Sequence, residues 1–311
     1  MLKSAGRFIL YLMTIQYPKQ YTSPTDLVAL LKSRGLTIAD ESKAANYIMH
    51  IGYYRLSAYL YPLLTQPKTE HIFKPNSTFL DALTLYRFDK KLRLLIFNEI
   101  EKIEIAVRSA IANITSVETN DIFWMTSPSA FANSSRFNKS MGLIYSEYQS
   151  SKEEFIEHFR NTYSDPYPPS WQLIEILPLG VVTRIYENIA SFSAQKKIAR
   201  HFGLNIPVFK SWMTIITLTR NACCHHSRVW NKVNTVHALS MHRMNSPWIS
   251  PSVNQLRIFY NLSIIKHFID IISPNNNMKQ HLKQLLADFP QVDITAMGFP
   301  PNWEEEPLWK D

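Results

Sequence analysis

Between Thr78 and Ile114 the sequence repeats apolar residues at a spacing that suits a helix and no strand. Phe88, Leu92, Leu95, Ile96, Ile100, Ile103, Val107, Ile111 and Ile114 recur every three or four positions, with charges between them. Such residues line one face of a 3.6-residue helix, whereas a strand would scatter them over both of its faces. The pattern predicts one long amphipathic helix over 78–115, along which other elements must pack.

Helix punctuation recurs on both sides of it. Ser23, Pro24 and Asp26 read as an N-cap, a first-turn proline and an early acidic residue, followed by Leu27, Leu30 and Leu31 and stopped by Gly35. Asp40 caps a second helix that reaches His50, and an aromatic-rich segment, Tyr53 to Tyr59, follows. Residues 66–78 hold turn formers and predict a loop or small hairpin. Helices are expected over 152–163, 171–190 with a kink at Pro178-Gly180, 193–202, 207–231, 252–273 and 277–288. The tail from Pro290, rich in proline and tryptophan, reads as an extended arm. Only 7 glycines occur, which disfavours phosphate loops and glycine-rich sheets. The fold class is therefore all-α, a helical bundle with a loop or small hairpin inserted. Residues 116–150 read as polar and irregular, the best place for a sub-boundary.

Lysine and arginine total 33 against 25 acidic residues, a net charge of +8. An excess of this size points to a polyanionic partner, nucleic acid first. The two cysteines, Cys223 and Cys224, are neighbours and support no disulfide framework, which fits a reducing, cytoplasmic setting. Lys3 and Arg7 before the apolar run Phe8 to Ile15 imitate a signal peptide. The run lacks a clear small-residue cleavage site and is too short to span a bilayer, so it reads as an N-terminal extension, and no membrane contact is expected.

The stretch from Trp212 to Asn231 carries the chemistry. On a regular helix, Trp212, Ile215, Ile216, Thr219, Cys223, His226, Val229 and Trp230 share a core-facing stripe. Arg220, Asn221, Cys224, His225 and Arg228 share the opposite face. Guanidiniums bind phosphate oxygens in forked geometry and stabilise charge building on phosphorus. Histidine is the residue type suited to moving protons near neutral pH, and an amide four positions away, Asn221, can orient it. RNA carries its own nucleophile, the 2′-hydroxyl, so such a site needs no metal. Base and acid are both required, however, and one histidine does not easily serve as both. A twofold dimer bringing two copies of the helix together supplies the second. The bland alternative is an ordinary solvated helix face. Adjacent Cys223, Cys224, His225 and His226 do not make a zinc site, because successive helical ligands diverge by about 100°.

Two further groups remain open. Glu101, Glu104 and Arg108 stand at i, i+3 and i+7 on the long helix. They form either an intrahelical salt bridge or a support in which Glu101 and Arg108 hold the arginines of the neighbouring helix. Tyr53 and Tyr54 either stack on unpaired bases or pack in the core, and Arg55 is the better RNA contact.

Arg220-Asn221-Ala222-Cys223-Cys224-His225 matches the pattern of HEPN ribonucleases, an arginine and a polar residue followed after three variable positions by histidine. Its surroundings resemble the Abi-like abortive-infection family of AbiF and AbiD type. They are Tyr17-Pro18-Lys19, Gly52 to Leu56, Leu85 to Asp89, Ile100-Glu101 to Arg108, Trp171 with Glu175, Arg228 to Asn231, and Met297 to Pro300 with Trp303. The resemblance spans 17–311 as one helical domain and leaves 1–16 as an extension. It implies a HEPN-like helical core with additional helices, a role in anti-phage defence, and toxicity through metal-independent RNA cleavage that leaves 2′,3′-cyclic phosphate. Arg220 and His225 are then catalytic and Asn221 supports them; the residue reading itself adds Arg228, Arg55 and Arg108 as expected RNA contacts, with Glu101 in support. A small structured RNA that restrains the protein is the partner implied; the homodimer is expected from the single histidine, and no metal or small-molecule cofactor is expected. A catalytically silent RNA-binding module and a protein-interaction sensor stay open as alternatives.

Overall fold

The computed structural model describes residues 20–240 and 246–310, and the N-terminal extension lies outside them. The described residues form twelve α-helices, with only isolated β-bridges, so the all-α class holds. None of these helices is long and apolar enough to cross a membrane. The chain divides into two compact units, Met1–Leu83 and Thr84–Asp311.

In the first unit, α1 (Pro24–Ser33) begins where the Ser23 hydroxyl accepts the Asp26 N–H at 3.2 Å. The Asp40 carboxylate accepts the Lys43 N–H at 2.8 Å and starts α2 (Glu41–Ile51). Gly52, at φ 89°, turns the chain directly into α3 (Tyr53–Leu60). Few other residues tolerate that backbone. An antiparallel bridge between Leu64 and Phe73 forms the small hairpin expected in this region. Thr78 and Asp81 then cap each other reciprocally, at 2.8 and 3.1 Å, and launch α4 (Phe79–Thr119).

In the second unit, α4 carries the apolar seam. Phe88, Leu92, Ile96, Ile100, Ile103, Val107 and Ile111 are all buried. The stretch 116–150 is more ordered than its polar composition implies. Asn133 caps α5 (Ser134–Ser150), which buries Phe137, Ile144 and Tyr148 and faces water elsewhere. Next come α6 (Glu154–Thr162), the short α7 (Ser170–Leu173) and α8 (Leu179–Asn188), with the expected break at Pro178. The chain continues through α9 (Phe192–His201), α10 (Ile206–Cys224), α11 (Ile258–Ile272) and α12 (Met278–Asp288). Helix α10 stops at Cys224, so the expectation of a helix over 207–231 is corrected at its C-terminal end.

Helix α11 is apolar nearly all round and lies in the core, as such helices must. Its Phe268 meets Phe202 and Phe209, while Trp212 of α10 stacks on Trp248 at 4.6 Å. Burial lowers the pKa of His267, whose Nε2 meets the Phe202 carbonyl at 2.9 Å. The tail packs on the same helix. Phe299, Trp303 and Trp309 surround Phe259, and the Trp309 indole donates to the Ser263 hydroxyl at 2.9 Å. Trp309→Ala should therefore cost about 3–5 kcal/mol, read as a lower urea midpoint at unchanged m-value.

Candidate functional site

The last two turns of helix α10 lie half-buried beside α4. Its buried side, Trp212, Ile215, Ile216, Thr219 and Cys223, is the stripe expected from the spacing. Burial pushes the Cys223 thiol up to about 12, so it stays protonated and packs as an apolar group. Arg220 leaves that core at an angle, with 30 % of its side chain exposed. Its Nε is buried and lies 3.6 Å from Glu104 Oε2, an ion-pair distance longer than a hydrogen bond. Its Nη1 meets Asn221 Oδ1 at 3.4 Å.

The same Glu104 carboxylate pairs with Arg108 one turn along α4, and Arg108 donates to the Ile174 carbonyl. One carboxylate thus serves two guanidiniums, one from each helix. Glu104 is the acidic residue that performs this, while Glu101 stands exposed on α4. The intrahelical salt bridge is present, between Glu104 and Arg108, and it is Glu104, in place of the expected Glu101, that approaches the arginine of α10. Arg108 is buried and occupied, so the structure does not bring it to an open surface. Arg55 lies exposed on α3 of the first unit.

The end of α10 differs from the regular helix expected. His225 is the C-cap residue and is exposed. His226 has φ 54°, in the left-handed region. The Ser227 N–H donates to the Ala222 carbonyl at 2.8 Å, and the His226 N–H to the Cys223 carbonyl at 3.0 Å. This pair of bonds is a Schellman motif, with histidine in the place that glycine usually takes. His226 is accordingly exposed, correcting its placement in the core stripe. Arg228, half-buried, belongs to the segment beyond the helix and not to the α10 face. Arg220, Asn221 and His225 remain together on the final turns.

What fixes the segment beyond the helix is Asp89 of α4. Its Oδ1 accepts the Val229 N–H at 3.1 Å and the Trp230 N–H at 2.6 Å, and Arg93 pairs with its other oxygen. Arg93 also reaches the Ser227 carbonyl at 3.4 Å. Asp89 is fully buried and Arg93 nearly so. Burying these charges is sustained only by mutual pairing and the added backbone bonds. Sequence reasoning gave Asp89, Arg93 and Glu104 no role in the site. The one available signal was that Asp89 and Arg93 stand four apart at the edge of an apolar seam, where charges are unusual.

Among the described residues no cluster of three or more His, Cys, Asp or Glu side chains could hold a metal ion.

Two stability measurements check this construction. Asp89→Ala should cost about 3–5 kcal/mol, because Arg93 stays buried without its partner and two N–H groups lose their acceptor. A loss below about 1 kcal/mol in urea unfolding would mean that the carboxylate does not hold the segment. His226→Gly should be neutral or raise stability by up to about 1 kcal/mol, since glycine adopts the left-handed backbone freely. A histidine packed in the core would respond with a clear loss instead.

A family model described as Abi-like protein matches residues 46–231. No curated protein and no solved structure matches. The matched stretch covers more than half of the chain, from within α2 to Asn231 just past the backbone bound by Asp89, and includes the Glu104–Arg220 contact and His225. This chain belongs to the Abi-like protein family.

Proposed function

We propose that the chain is an abortive-infection endoribonuclease of the HEPN type that cleaves RNA without a metal, using Arg220 and His225 with Asn221 in support. The observation that carries the reading is the C-terminal end of α10. There, an arginine held from behind by a carboxylate and an exposed histidine occupy adjoining turns. Membership of the Abi-like family supports the defence role.

In this reading a phosphodiester sits against the exposed edge of the Arg220 guanidinium. Glu104 faces the other edge at ion-pair distance and draws the side chain toward it, so charge growing on phosphorus meets a cation already in place. His225 takes the proton from the 2′-hydroxyl, which attacks phosphorus, and the 5′-oxygen leaves with a proton. The products are a 2′,3′-cyclic phosphate and a 5′-hydroxyl. A second His225 from another copy of the chain supplies the proton for the leaving oxygen.

The surface of α4 supports such a homodimer. Leu94, Phe97 and Ile105 are 60 %, 40 % and 58 % exposed on one helical face that also holds Glu101. An apolar stripe of this kind is suited to burial against a second copy. The net charge of +8 supports binding of a structured regulatory RNA in addition to substrate.

The test is cleavage of labelled RNA in the presence of EDTA. His225→Ala should reduce the rate by about 10²–10⁴-fold. Arg220→Ala should reduce it by about 10²–10³-fold. Both variants should stay folded, and the wild-type products should carry cyclic phosphate ends. Undiminished cleavage by His225→Ala would sink this assignment. Wild-type protein that binds RNA and cleaves none would leave the silent RNA-binding module as the better reading.

A further inference from the structure

Helix α9 has a basic outward face. Its buried side, Ala194, Gln195, Ile198 and Ala199, packs inward. Its ten residues include Lys196, Lys197, Arg200 and His201 and no carboxylate. Lys197 is engaged by Glu118, whereas Lys196 and Arg200 pair with no acidic side chain among the described residues. Phe192, Lys196 and Arg200 stand four apart, so they form one row along the helix at steps of about 6 Å. Phe192 is 68 % exposed, with the Lys196 ammonium 6.0 Å from its ring centre.

This row borders a surface depression of about 570 Å³ whose other side is the turn from Gly203 to Pro207. No acidic residue lines it. The helix beneath is held firmly: the buried Gln195 amide donates to the Tyr186 and Ile189 carbonyls, each at 3.1 Å, closing the end of α8. The row is thus an exposed ring and two uncommitted cations on a fixed support.

We propose that the Phe192–Lys196–Arg200 face of α9 is a second RNA-contact surface, which takes a single-stranded segment by stacking a base on Phe192 and seating phosphates on Lys196 and Arg200. It rests on the reading that the chain handles RNA, and adds to it where the strand runs. The charge pattern selects a polyanion, and the exposed ring beside the cations selects one that has flat bases as well as charge. The face adjoins the N-terminal end of α10, and His225 caps the other end. The 19 residues of that helix set the two about 28 Å apart along its axis. A strand must therefore be several nucleotides long to engage both, and the α9 surface favours extended single strands over short ones at the cleavage site.

The experiment is fluorescence anisotropy with full-length protein and labelled 2′-O-methyl polyuridine, which lacks the nucleophile and survives the assay. The Lys196→Glu/Arg200→Glu variant should bind more weakly and flatten the slope of log K against log salt by about 1.4, the share of two single-strand phosphate contacts. Lys196→Gln/Arg200→Gln serves the same purpose should charge reversal disturb folding. Phe192→Ala should weaken binding roughly tenfold with the salt slope unchanged. Equal affinity and slope in wild type and variants would overturn the α9 surface, and so would wild-type protein that binds no polyuridine. Polyglutamate displacing the RNA with the same dependence on Phe192 would assign the face to an acidic protein instead. Cleavage of a short labelled RNA by the same preparations reports on Arg220 and His225 separately. A failure of the α9 surface is thereby distinguished from a failure of the nuclease reading.

Discussion

A single buried carboxylate organises the C-terminal end of α10 and the segment that follows it. Asp89 lies on α4, shielded from water, with Arg93 on one oxygen and two backbone N–H groups on the other. Its backbone partners belong to the segment that follows α10. A chain leaving a helix through a left-handed residue can set off in many directions. The two bonds to Asp89, with the Arg93 contact to Ser227, select one of them. The position of His225 relative to α4 follows from that choice, because the cap residue sits between a helix packed on the core and a segment tied to α4.

Glu104 acts on Arg220 by charge, at 3.6 Å and without a hydrogen bond. A guanidinium at a helix surface normally samples several rotamers and loses their entropy when it binds a ligand. Sharing Glu104 with Arg108 restrains Arg220, and the Arg108 bond to the Ile174 carbonyl restrains Glu104 in turn. The arrangement keeps one positive charge in excess over the trio, partly exposed. Two acidic residues of α4, spaced 15 positions apart, thus position a cation and a turn on the same neighbouring helix.

Much of this architecture was legible in the amino-acid order. The apolar seam of α4 and the stripe from Trp212 to Cys223 follow from spacing alone, since burial at period 3.6 has few alternatives. The halt of α10 at Cys224 was not legible, because no glycine or proline marks it. His226 adopts the conformation that would have given the signal had it been glycine. That one misplaced boundary carried His226 into the core and Arg228 onto the helix face. Glu104 was likewise indistinct from Glu101. Both project toward one side of α4, and periodicity identifies a face without saying which turn meets Arg220. Asp89 lay beyond reach for another reason: its partners are 140 and 141 residues away, and nothing local to either segment announces the other.

That separation in sequence governs when the site can exist. Helix α10, which bears Arg220 and His225, packs on α8 and α9 close by in the chain and on the more distant α11. Closing a loop of such length costs on the order of 4 kcal/mol of chain entropy, and the bonds to Asp89 recover it only once both ends are already packed. The segment after α10 is therefore seated only where α4 and the end of α10 are both in place. A partly folded chain holds every residue of the site and none of its arrangement, so whatever the site does waits on completion of the surrounding structure.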